Sequence, residues 1–229
     1  MSGRLVRADH REALLRACAR LKIFPLQGVT VFPGTPTPFH IFEPRYRALF
    51  ADALAGDRVL AVPTMAEAGD APFEIEPVRA IAGACVIEDH ERLPDGRYHV
   101  LVRGAGRVRL GPELATGKPY REFRAELLDD VLPTSGLAEA QAKAAALEQL
   151  LVQIAAGLPP ESGATKLAAD AAQLGPSALA DLAAAALVTD VEARYAILSE
   201  IQVLRRLDLV TSEAAAVVLA IGGSGLARA

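Results

Sequence analysis

Apolar and polar positions alternate in short runs over the first half of the chain and recur at helical spacing over the second. Phe24, Leu26, Val29 and Val31 alternate with less apolar neighbours, which predicts a half-buried strand. Phe32-Pro33-Gly34 stops it, because Pro cannot donate to a ladder, and Pro36 and Pro38 hold the following residues extended. Residues 39–42 read as a second short strand. Pro44 suits the first position of a helix, and a helix over 43–54 would bury Tyr46, Leu49, Phe50 and Ala53 on one face. Further strands are expected over 58–62, 73–76, 80–91, 98–103, 107–110 and 123–127, with a loop over 64–72. Pro94-Asp95-Gly96 marks a hairpin, and Gly104 and Gly106 allow a bulge or sharp bend.

The spacing also predicts helices. Over 9–22, Asp9 with Glu12 makes a start like a capping box, and Leu14, Leu15, Cys18 and Leu21 form an apolar stripe. Over 137–157, Leu147, Leu150, Leu151 and Ile154 share a face before Gly157 and Pro159-Pro160 end the helix. A short helix at 164–174 follows. Another opens at Gly175-Pro176-Ser177, with Leu179, Leu182, Ala183 and Ala186 on one side. Thr189 with Glu192 is a capping box for a helix carrying Ile197, Leu198, Ile201 and Leu204. Residues 212–221 read as a docked terminal helix or a self-association surface, ahead of a flexible GGSG tail. The chain is therefore expected to comprise a helical extension at 1–22, a β-rich domain at 23–132, and a helical bundle with its tail at 133–229.

Composition narrows the class. Of 229 residues, 52% are hydrophobic and 23% charged, which are globular values. Cys18 and Cys85 form neither a disulfide framework nor a CxxC metal pair, so a reduced, cytoplasmic setting is expected. No run has the length of a signal-peptide core or a membrane span. The net charge of −4 is uneven: residues 1–22 hold six Lys/Arg against two Asp/Glu, and the rest is mildly acidic. That balance disfavours a large phosphate-backbone footprint. Arg11, Arg16, Arg20 and Lys22 suggest either a patch for an anionic partner or a solvated helix face, the latter being the commoner origin of such runs.

The segment FPL, VFPG, HIFEPRYRALF (from Phe24 to Phe50) resembles the amino-terminal, substrate-binding domain of the ATP-dependent protease Lon, a domain that also occurs alone in bacteria and as a module in cereblon. A second segment agrees: GACVIE (83–88), LPDGRY (93–98), Val102-Arg103-Gly104 and Arg107-Val108 resemble the family's paired strands around its Asp-Gly turn. The resemblance covers 23–207 and is strongest in the first half. It implies an α+β protein in which a compact, PUA-like barrel precedes an α-helical bundle. The ATPase and Ser-Lys peptidase modules of a full-length Lon are not carried over, because these 229 residues end before either.

The chemistry is sparse. No phosphate loop, HExxH pair or GxSxG elbow is present. Ser162 and Lys166 sit at helical spacing beside a Pro-Pro loop, where a cap and a surface charge are expected rather than a nucleophile and base. His90 and His99 are expected near each other across the hairpin, with Asp89 and Glu91 adjacent, as surface decoration or a weak metal or proton site; His40 is expected to be structural. Glu43 and Arg45 suit a helix start and an ion pair. Phe32, Phe39, Phe42 and Tyr46 read as core residues that could also hold an extended apolar peptide, and are the peptide-binding candidates. No catalytic residue, metal or cofactor is expected. The resemblance implies non-catalytic recognition of unfolded or apolar protein segments. Unfolded or partly folded proteins would be the partners, a protease or chaperone a candidate collaborator, and a homo-oligomer open, with no membrane. The rival readings are a small-molecule or RNA-binding PUA-like module and an unrecognised hydrolase.

Overall fold

In the computed structural model, which describes residues 2–66 and 77–226 and the side chains of 10–66 and 77–222, the apolar runs build one six-stranded antiparallel sheet among the described residues. Its strands are β1 (Leu21–Lys22), β2 (Pro36–Ile41), β3 (Val59–Val62), β4 (Ile81–Arg92), β5 (Tyr98–Glu113) and β6 (Glu122–Leu128). The order is β1-β6-β5-β4-β3, with β2 laid along β5. Ile23, directly after β1, bridges Ala61 of β3, and its amide donates to the Arg121 carbonyl at 3.1 Å. The path thus returns to its start, and the sheet closes as the barrel-like form the resemblance implied. The strand expected at 73–76 and most of the loop before it lie outside the described residues. The chain divides into two compact units, Met1–Asp129 and Asp130–Ala229, and each is taken by itself.

In Met1–Asp129 two apolar clusters fill the interior. Phe24, Phe50, Leu60, Cys85 and Val102 form one, closed by α2 (Pro44–Ala55), which buries the predicted Tyr46, Leu49, Phe50 and Ala53. Leu14, Ala17, Cys18, Ile23, Val59, Val108 and Phe123 form the other. The Gly96 φ of +81° makes the predicted hairpin turn, where the Gly96 amide donates to the Leu93 carbonyl at 2.9 Å. Ala84 pairs with Gly106 and Cys85 with Gly104, so Ala105 is the extra residue of the bulge expected there.

Two expectations for this unit need correcting. The helix predicted at 9–22 is α1 (Ser2–Ala17), so Asp9 lies inside it rather than at a cap. It stops early because Leu21 and Lys22 pair with Phe123 and Glu122. Nor do residues 24–31 form a continuous strand: Pro25 lacks a donor and Gly28 takes φ +69°, leaving single bridges at Ile23, Leu26 and Pro33. The basic groups of the first segment pair internally. Arg11 holds Asp129, Arg16 holds Glu12, Arg20 donates to Glu122 at 2.7 Å and Lys22 lies 3.7 Å from Asp57.

A polar tie fixes α2. Asp52 Oδ2 accepts from Lys118 Nζ at 2.7 Å and from the Tyr120 hydroxyl at 2.6 Å. The Lys118 and Tyr120 hydrogen bonds hold the Asp52 carboxyl below its usual range, while burial, then the bond to Asp52, pushes the Tyr120 hydroxyl up. A lowered carboxyl stabilises the fold above its unfolded pKa, and that contribution is lost as pH falls through the folded value. Asp52→Asn should therefore lower the urea midpoint at neutral pH, with the difference from wild type vanishing in acid. Tyr120→Phe, which removes one charge-assisted bond from a half-exposed carboxylate, should cost about 1 kcal/mol.

In Asp130–Ala229 the amphipathic stripes pack on one another. α3 (Leu137–Gly157) has the predicted bounds and buries Leu147, Leu151 and Ile154. α4 (Ala164–Ala171) and α5 (Pro176–Leu187) follow. The next cap is Asp190, not Thr189: its carboxylate accepts the Ala193 amide at 2.8 Å and starts α6 (Val191–Ser199). The single helix expected to carry Ile197 to Leu204 is broken at 200–202, where Val131 N–H donates to Ile201 O and Val203 N–H to Val131 O. α7 (Val203–Leu226) then runs unbroken through GGSG, where a flexible tail was expected. Ser162 Oγ accepts the Ala164 amide at 3.2 Å in a local turn just before α4, whose cap position is Gly163 rather than the expected Ser162.

Candidate functional site

β2 exists because Pro36 and Pro38 enforce extension, and its period of two decides which side chains face inward. Ile41 is buried, Phe39 is half-buried and stacks edge-on against Phe24 at 5.3 Å, whereas His40 is exposed. Phe42, one step beyond the strand, continues the outward series and is 60% exposed. Among the four peptide-binding candidates the structure thus separates inside from outside. Phe32 is 0% exposed and Tyr46 6%, so neither presents a face to a partner in this conformation. Tyr46 packs on Phe24 at 4.7 Å, with Arg45 over its ring and Glu43 accepting from Arg45 at 3.0 Å.

β2 runs antiparallel to the first half of β5, with Pro38 opposite Leu101 and His40 opposite His99. On the far side of β5, β4 places Asp89 opposite Leu101 and Glu91 opposite His99. These three strands frame a groove of about 450 Å³. Pro38, Phe39 and Leu101 supply apolar lining, Asp89 and Glu91 supply carboxylates, and no Lys or Arg lines it among the described residues. The imidazoles of His40 and His99 lie 5.0 Å apart, with the Phe42 ring 6.0 Å from His40. His40 is therefore a surface residue rather than the structural one expected. His90 also lines the groove, but its register partner is Val100, so the close histidine pair is His40 with His99 and not His90 with His99. Glu91 Oε2 lies 3.7 Å from His99 Nδ1. Among the described residues no group of three or more His, Cys, Asp or Glu is placed to hold a metal ion.

The sequence placed Asp89 and Glu91 beside the His90/His99 pair, and both line the groove; Leu101 was missed. The signal was available in the hairpin: a tight turn at Gly96 fixes which residues of β4 and β5 face each other. It was obscured by a register shift between Ile87 and Asp89, which leaves Glu88 unpaired in the ladder and turns it to Arg103.

What the geometry defines is a closed sheet with an exposed aromatic and a groove beside β2, which pairs with β5 alone among the described residues. The chain belongs to the ATP-dependent protease La (LON) substrate-binding domain family, whose model matches residues 20–215. It is 31% identical over 196 residues to a Lon protease of Roseiflexus castenholzii, and 28% identical over 144 residues to one of Trichlorobacter lovleyi. These alignments cover 84% and 63% of this chain but only 23% and 17% of those proteins. Among solved structures, the N-terminal domain of Mycobacterium avium complex Lon protease matches with TM-score 0.67 at 20% identity, covering 86% of this chain and 98% of that one. A Lon N-terminal domain protein from Xanthomonas campestris matches with TM-score 0.58 at 19% identity, covering 84% and 97%. Both show the fold. No described helix is long and apolar enough to cross a membrane.

Proposed function

We propose that the chain recognises unfolded, apolar segments of other proteins without chemistry of its own, in a reducing, cytoplasmic setting that suits its free Cys18 and Cys85. The observation that carries this is Phe42, a large aromatic left 60% exposed beside a groove of one side chain's to two side chains' capacity. Membership of a substrate-binding family agrees with it. Recognition rests on side chains rather than strand addition. Among the described residues β2 pairs only with β5, yet Pro36 and Pro38 offer no N–H, and a proline in a strand keeps its nitrogen on the solvent side. By the period of two, His40 is left as the outward donor, too little for a ladder. The groove carboxylates also disfavour an RNA backbone.

Phe42→Ser should weaken binding of a permanently unfolded polypeptide about tenfold, because the aromatic anchor is lost, and should shift stability by less than about 0.5 kcal/mol. Phe32→Ala should do the reverse, costing about 3–5 kcal/mol as a core truncation. Fluorescence anisotropy of the labelled client, beside urea titration, reads both. Unchanged affinity in Phe42→Ser contradicts the proposal.

A further inference from the structure

We infer that the groove selects client segments in which a Lys or Arg accompanies an apolar residue, an inference that rests on the recognition role proposed above. The two sides of the groove differ in character. On the β2 side Pro38 and Phe39, with Leu101 beneath, offer carbon surface, and Phe42 extends it outward. On the β4 side stand Asp89 and Glu91, both exposed. Three adjacent strands separate these sides by about 10 Å. That span matches an amphipathic cation, whose methylene stem lies along apolar surface while its charged head reaches beyond it.

The carboxylates are free to serve. Asp89 Oδ1 accepts the His90 backbone N–H at 2.8 Å, and Glu91 Oε2 lies 3.7 Å from His99 Nδ1. Among the described residues neither has a Lys or Arg ion pair. The nearby cations are engaged elsewhere: Arg103 donates to Glu88 and to the Gly34 carbonyl, Arg97 pairs with Asp95, and Arg92 lies 6.0 Å from the Tyr98 ring centroid. A neighbouring acid, Glu88, is therefore already neutralised by Arg103, whereas the two that line the groove are not. The complement is an extended segment with one apolar side chain on Phe42 and a basic side chain crossing to Asp89 and Glu91.

The test uses three unfolded peptides of equal apolar content that differ only at two positions, occupied by Lys, Gln or Glu, titrated against the full chain and against its Asp89→Asn/Glu91→Gln variant. The Lys peptide should bind wild type about five- to tenfold tighter than the Gln peptide at low salt, with the Glu peptide weakest. The double variant should bind Lys and Gln peptides alike, and added salt should erase the preference in wild type. Equal binding of the three peptides to wild type overturns the inference while leaving recognition of unfolded chains standing. A Lys preference that survives in the double variant overturns the assignment to this groove. Failure of all three peptides to bind sinks the recognition role and the inference with it.

Discussion

Replacing Arg206 by Met should lower the stability of the Asp130–Ala229 unit by about 3–5 kcal/mol, the cost of breaking a buried ion pair from one side. Arg206 is 0% exposed. Its Nη1 donates to Asp130 Oδ1 and to the Glu200 carbonyl, each at 2.8 Å, and its Nη2 to Asp130 Oδ2 at 2.8 Å and Ser177 Oγ at 2.7 Å. The Nε faces Asp181 at 3.4 Å, an ion pair without a well-formed hydrogen bond, and Asp181 is itself 1% exposed. Burial alone would push the guanidinium down; the Asp130 bond, with Asp181 and Glu200, outweighs it and holds the group above its ordinary value. One cation thus ties the start of the unit to α5, to the break before α7 and to α7 itself. Met keeps the volume but strands the Asp181 carboxylate away from its counter-charge. A second variant, Arg206→Met/Asp181→Leu, removes both buried charges and should recover at least half of the loss. Urea titration followed by helical circular dichroism measures both; a single variant within about 1 kcal/mol of wild type contradicts the account.

The second large effect belongs to Gly83→Ala and Gly104→Ala. A Cβ on Gly83 would lie 2.0 Å from the Val31 carbonyl oxygen, and one on Gly104 2.1 Å from that of Phe32. Both obstacles are backbone, so relief requires moving the segment itself, not a rotamer. That segment is anchored: Gly34 N–H donates to Gly104 O at 2.8 Å, Gly104 N–H to Thr35 O at 3.0 Å, and Thr64 Oγ1 donates to Val29 O at 2.8 Å. Each substitution should cost about 3 kcal/mol, the upper end of overpacking penalties. The double variant should cost clearly less than the sum, because either alone displaces the same strap. Additive losses, or single losses within about 1 kcal/mol, would show that the strap does not depend on these close approaches. Since the strap leads directly into Pro36, both variants should also weaken client binding.

These glycines illustrate how far the sequence could be read. Gly104 was expected at a bulge, which it borders, but nothing local in either glycine's neighbourhood tells that Val31 and Phe32, some seventy residues away for Gly104, press on it. Local signals carried well where they were redundant: Pro44 with the Tyr46, Leu49, Phe50, Ala53 stripe gave α2, and 137–157 gave α3. They failed where a long-range partner intervened. Leu21 and Lys22 left their helix for the β6 ladder, and Val131 breaks the chain between α6 and α7. The candidate aromatics were half legible. Phe39 and Phe42 are three apart on an extended segment, so a period of two sets them on opposite faces, and Tyr46 already belonged to the buried helical stripe. Applied strictly, that pattern leaves Phe42 as the outward member. Arg206 was legible in the same manner: Val203, Leu207, Val210 and Ala214 form the buried stripe of α7, and Arg206 falls within it. Its acceptor Asp130, far away in sequence, was not.

The most direct test of the recognition role is crosslinking of the full chain to a permanently unfolded polypeptide and, in parallel, to the same polypeptide folded, with adduct positions mapped by mass spectrometry. The account predicts adducts with the unfolded form alone, concentrated on residues 36–42 and 89–101. Adducts confined to the folded form, none with either, or a map centred away from Phe42 and the groove would contradict it.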